Sequence, residues 1–114
     1  MLWKRVLEFM IKIKRLADKI DYNVPYKVCI DGRVVMELTN GEMRDYETVE
    51  GEHTIQIESD SFVSEEVKFT SYDGQIIEFE CKPDHSTSNF SKVARKLLLG
   101  KLGISLEKKN DFYL

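Results

Sequence analysis

The chain has 114 residues, 42% of them hydrophobic and 32% charged, with two prolines and two cysteines. That length suits a single domain that buries one core without disulfide or metal staples, and the composition excludes a disordered or fibrous chain. The net charge of −3 hides a division: residues 1–20 carry six bases against Glu8 and Asp18, residues 21–82 carry five bases against fifteen carboxylates, and the remainder is basic again. An acidic middle argues against nucleic acid as a ligand.

From the start, Leu2, Val6, Phe9, Ile13, Leu16 and Ile20 recur at alternating steps of four and three. Trp3, Leu7, Met10 and Ala17 widen the stripe, which predicts an amphipathic helix over residues 1–21 with its bases on the opposite face. Lys14 falls near one edge of the stripe and Ile11 beyond the other. Pro25 disfavours helix at Val24, so the helix should stop near residues 21–23. Charges interrupt the segment too often for a signal-peptide apolar region or a spanning helix, which makes the cytoplasm the expected compartment.

Residues 26–82 are punctuated by Asp31-Gly32, Asn40-Gly41, Glu50-Gly51 and Asp73-Gly74, with Ser59-Asp60-Ser61 in the longest gap. These corners have hairpin spacing, and Gly accepts the positive φ that primed turns demand. Between them, apolar residues alternate in steps of two: Val28 and Ile30; Val34, Met36 and Leu38; Ile55 and Ile57; Val63, Val67 and Phe69; Ile77, Phe79 and Cys81. The pattern predicts an antiparallel β-sandwich of six to seven short strands with one wet face on each sheet. Cys29 is out of phase with Val28 and Ile30, whereas Cys81 shares the phase of Ile77 and Phe79. The two thiols should therefore point apart and stay free, as in a reducing compartment.

Pro83 and residues 84–88 read as a polar linker with helix-capping residues. Phe90, Val93, Ala94, Leu97 and Leu98 then predict a second amphipathic helix over residues 88–102, stopped by Gly103. Residues 103–114 read as a tail in which Ile104 to Glu107 adds at most a short strand. The expected fold is mainly β, with one domain built from a sandwich and two flanking helices.

The run Val28-Cys29-Ile30-Asp31-Gly32, then Val34, then Val49-Glu50-Gly51-Glu52-His53-Thr54-Ile55-Gln56-Ile57 resembles the PEGA-type, immunoglobulin-like β-sandwich module over about residues 26–70. That resemblance implies a binding or spacer element rather than an enzyme.

The residues that could carry chemistry point the same way. His53 is in phase with Ile55 and Ile57, so its ring should sit at the rim of the core with a backbone hydrogen bond, and His85 lies in the linker. Two histidines without spaced cysteine partners do not make a zinc site. Glu65 and Glu66 point to opposite faces of a strand, while Glu78 and Glu80 share a solvated one. No nucleophile-base spacing or phosphate-binding loop is present, so neither catalysis nor a cofactor is expected. The expected function is a non-catalytic interaction or scaffold module. Its candidate interaction face is Trp3, Val6, Leu7, Met10 and Lys14 on the first helix, which would dock a protein partner or a second copy, with a membrane surface as a lesser option. The alternative is carbohydrate binding through Tyr22, Tyr26, Tyr46 or Tyr72.

Overall fold

The computed structural model describes residues 9–20, 22–72, 74–84 and 102–113. In chain order these form β1 (Phe9–Arg15), β2 (Tyr26–Ile30), β3 (Arg33–Leu38), β4 (Met43–Glu47), β5 (Gly51–Glu58), β6 (Val63–Ser64), β7 (Val67–Ser71), β8 (Gln75–Pro83) and β9 (Leu102–Tyr113). They make one nine-stranded sheet in the order β3-β2-β5-β6-β9-β8-β1-β4, with β7 also on β5. The sheet curls into a nearly closed barrel whose outermost strands are β3 and β4.

The expected N-terminal helix is overturned by β1. Within Ile11-Lys12-Ile13-Lys14-Arg15 a two-residue alternation coexists with the helical stripe, and the sheet selects the alternation. β1 lies between β4, antiparallel, and β8, parallel. This placement leaves both Ile11 and Ile13 at 0% exposure, whereas a helix would set them on different faces. Two β-branched residues in such a slot favour the strand, and tertiary packing overrides the helical period. Ile11, the misfit of the helical stripe, is a core residue.

At the other end, Leu102 begins β9, where the second helix was expected to finish. The rest of that expected helix, from residue 88 to 101, lies outside the described residues. The tail is a twelve-residue strand antiparallel to β8 from Gln75 to Pro83, rather than a short one. No helix occurs among the described residues, and hence none there long and apolar enough to cross a membrane.

β1 and β9 also change the sheet. Instead of two separate antiparallel sheets there is one continuous sheet, in which β6 joins β5 to β9, and two of its pairings, β1–β8 and β6–β9, are parallel. The core it wraps draws on seven strands, including Ile11, Tyr26, Leu38, Ile57, Phe79 and Ile104. Phe69 meets Phe79 edge-on, with ring centroids 5.4 Å apart, a favoured aromatic geometry.

Two local features correct the alternation. β2 and β3 shift register between Val28, paired with Met36, and Cys29, paired with Val34. Val35 is thus the extra residue of a bulge, and Val34 turns outward to 53% exposure instead of joining the core row. The β2–β3 corner itself is as expected, with φ of 52° at Asp31 and 82° at Gly32.

Arg15 continues the inward row of β1 and is buried. Its Nη1 donates to the carbonyl oxygens of Val24 at 2.7 Å and Leu38 at 2.9 Å. The guanidinium carbon stands 3.7 Å from the centre of the Tyr26 ring. The buried charge is thereby held by carbonyl dipoles and a π face, tying β1 to the chain before β2 and to the end of β3.

Candidate interaction surface

On the outer face of β4, β1, β8 and β9 the register stacks side chains in rows. One row runs Asp45, Lys12, Glu78, Asn110, and another includes Met43, Lys14 and Glu80. The charges in these rows are matched. Lys12 Nζ is 3.4 Å from Asp45, Asn110 donates to Glu78 at 3.0 Å, and Lys109 lies 3.5 Å from Glu107 and 4.0 Å from Glu80. Glu78 and Glu80 do share an outward face, and it is a mixed-charge ladder rather than an acidic one. A depression of about 190 Å³ crosses it, between Lys12, Lys14, Met43 and Lys109.

The neighbouring row differs in kind. Met10 pairs with Ile76, and Ile76 pairs with Phe112. These three share the outer face, because Ile11 and Ile77 beside them point into the core. At a spacing of about 4.8 Å per strand the row spans about 10 Å. Phe112 is 41% exposed, and Ile76, at 8%, lies between its neighbours. Glu47 pairs with Met10 and ends the row on β4. At the same end of the barrel Tyr72, Tyr113 and Val49 are exposed, Val49 to 70%. Tyr72 is fixed there by its turn: its N–H donates to Gln75 Oε1, and Gln75 N–H donates to the Tyr72 carbonyl. The end of the barrel is therefore apolar and aromatic, while its flank is charged and neutralised.

The second polar constellation lies at the β2–β3 corner. His53 Nδ1 is 2.7 Å from Asp31 Oδ2, and His53 Nε2 is 2.7 Å from the Val49 carbonyl oxygen. The other Asp31 oxygen accepts from Thr54 N–H at 2.9 Å. The ring packs against Phe69 at 5.5 Å between centroids. Burial alone would lower the pKa of His53, but the bond to Asp31, the bond to Val49 and the Asp31 charge together hold it above the ordinary 6.5. The same bond to His53, with Thr54 N–H, holds Asp31 below its usual 3.8. Beside this corner Glu52, Thr54, Lys68 and Thr70 line an open depression of about 330 Å³. Both ring nitrogens of His53 thus face acceptors, Asp31 on one side and Val49 on the other.

The residues singled out in the sequence separate. Met10 belongs to the apolar row and Lys14 to the charged ladder, so they share a face of a strand, not of a helix. Trp3, Val6 and Leu7 lie outside the described residues, as does His85. Of the tyrosines proposed to stack on sugars, Tyr26 is in the core and Tyr46 is half-buried against it, while Tyr22 and Tyr72 are exposed. Both cysteines are free and buried. Burial and the Glu58 carboxylate push Cys29 up to about 11, and burial pushes Cys81 up to about 12 against the pull of Arg15. Among the described residues no group of three or more His, Cys, Asp or Glu side chains could hold a metal ion.

The sequence patterns do not single out Ile76, Phe112 or Tyr113 as surface residues, and Val49 enters there only within the PEGA-like run. The one local signal was the doublet Ile76-Ile77, in which one isoleucine must face away from the core of a half-buried strand. No family model, curated protein or solved structure matches the chain, so the PEGA resemblance rests on the residues quoted for it.

Proposed function

We propose that the protein is a non-catalytic binding module that docks a protein partner, or a second copy of itself, on the apolar end of the barrel. The observation that carries this reading is the row Met10, Ile76, Phe112, an outward apolar strip on a sheet face whose other rows consist mainly of matched charges. Exposed aromatic side chains beside such a strip supply large contact area at low cost in side-chain entropy, the usual chemistry of protein docking. The doubly engaged His53 and the inert thiols agree with a module that performs no reaction.

The test is capture. Tagged wild-type chain and Phe112→Glu are compared in pull-downs from source lysate and in light scattering, with circular dichroism to confirm that both fold. Loss of a captured protein or of dimer mass in Phe112→Glu, with retention in Glu65→Lys elsewhere on the surface, supports the reading. Equal behaviour of all three chains removes it.

A further inference from the structure

His53 faces two acceptors at once. A carbonyl oxygen has no proton to give, and an ionised carboxylate has none either. The contacts to Asp31 Oδ2 and to the Val49 oxygen, both 2.7 Å, are hydrogen bonds together only when both ring nitrogens carry protons. A neutral ring with its proton held on Nδ1 by Asp31 turns the Nε2 lone pair against the lone pairs of Val49. From this geometry we infer that His53 is a proton-dependent latch: as imidazolium it clamps the β4–β5 loop at Val49 to the β2–β3 corner, and on losing a proton it lets Val49 go.

The surroundings confine the motion. Thr48 is tied separately, its Oγ1 2.8 Å from Ser71 Oγ, and Gly51 has a φ of 125°, a backbone state open to glycine. Release is therefore local to Val49 and Glu50, between a fixed residue and a natural hinge. The ring is largely covered, with 9% of its side chain exposed against 49% for Asp31, and its remaining edge lines the depression beside the corner.

The charged groups about the ring come from every neighbouring element. Asp31 from the corner is bonded to it, and Arg33 of β3 acts on Asp31. Glu52 of β5 and Lys68 of β7 line the depression beside it, and Glu50 is in the loop that moves. Asp31 alone among them bonds the ring, so it sets the direction of the titration, and the latch opens above pH 6.5. The inference does not depend on what, if anything, docks at the apolar end. It concerns the loop that carries Val49, the most exposed of the large apolar residues described.

The experiment is an NMR titration of the full chain from pH 5 to 9, in a His85→Gln background so that one imidazole reports. The expected result is that the amide signals of Val49 and Glu50 move with the midpoint of the His53 ring. Asp31→Asn should carry both midpoints to lower pH together, and His53→Gln should leave the loop signals independent of pH. Loop signals that stay still while His53 titrates overturn the latch, as does a His53 midpoint that Asp31→Asn does not lower. Should His53→Gln fail to fold, the wild-type and Asp31→Asn titrations decide between these results.

Discussion

An alanine scan along β1 separates the strand from the helix that the sequence suggests. Ile11 and Ile13 are fully buried, whereas Lys12 and Lys14 lie on the outer face. Truncating a buried isoleucine to alanine removes three carbons, about 2.4 kcal/mol of transfer free energy at about 0.8 kcal/mol each. A residual cavity of about 60 Å³ adds about 1.5 kcal/mol at about 24 cal/mol per Å³. Ile11→Ala and Ile13→Ala should each cost about 4 kcal/mol, a large part of the 5–15 kcal/mol typical of a whole domain, while Lys12→Ala and Lys14→Ala should stay within about 0.5 kcal/mol. Urea unfolding followed by circular dichroism measures all four midpoints. Costs that alternate with a period of two are the signature of β1. A scan in which Ile13 and Leu16 are costly and Ile11 is silent would refute the strand. The same argument makes a chain that starts at Tyr22 unable to fold, because β4 and β8 lose the strand between them.

The His53 and Asp31 pair gives stability a pH window. The raised pKa of His53 means that its contribution is complete below 6.5 and is lost as pH rises through the folded value, while the lowered pKa of Asp31 means that its contribution is present above 3.8 and is lost as pH falls. Urea midpoints should therefore peak between about pH 4 and 6.5 and decline on both sides, and the alkaline decline should vanish in His53→Gln. The thiols, pushed up to about 11 and about 12, should resist iodoacetamide at pH 8 in the folded chain and react in urea; labelling at equal rates in both conditions would contradict their burial. At Gly103 a Cβ would overlap the Phe62 ring, so Gly103→Val should lower the urea midpoint by about 1–3 kcal/mol in equivalent stability. An unchanged midpoint would mean that β9 does not sit against Phe62.

The parts of the fold that were legible are those in which local chemistry and tertiary packing agree. Asp31-Gly32 forms a primed corner wherever two strands flank it, and Ile55, Ile57, Ile77 and Phe79 are core residues under any pairing that keeps their phase. β1 is ambiguous in the sequence because residues 9–15 satisfy two periods at once. A seven-residue window holds two turns of helix and three repeats of strand, and only the availability of β8 and β4 as neighbours decides between them. β9 was hidden for a related reason: Glu107, Lys108, Lys109, Asn110 and Asp111 carry no buried row to betray a strand. They are held by pairing with β8, which ends 19 residues before β9 begins, and such pairing leaves no trace in local hydropathy.

The apolar end was less legible than the core because it belongs to no single segment. Met10, Ile76 and Phe112 come from three strands and meet through two registers, one parallel and one antiparallel. A one-residue slip of β9 on β8 would move Phe112 to the inner face and leave Asp111 or Tyr113 beside Ile76. The bulge between Glu78 and Phe79 already builds a one-residue shift into β9, with Lys109 as the extra residue. Deleting Lys109 would remove the bulge and keep Asn110 opposite Glu78 and Phe112 opposite Ile76, whereas a glycine inserted between Asn110 and Asp111 would put Asp111 opposite Ile76 and carry Phe112 out of step, while Leu106 and Ile104 keep their pairs. A glycine insertion there that preserves the urea midpoint yet abolishes capture, with capture kept on deletion of Lys109, would place the function in register rather than in composition. Capture preserved by the inserted chain would show that the partner is recognised without that register.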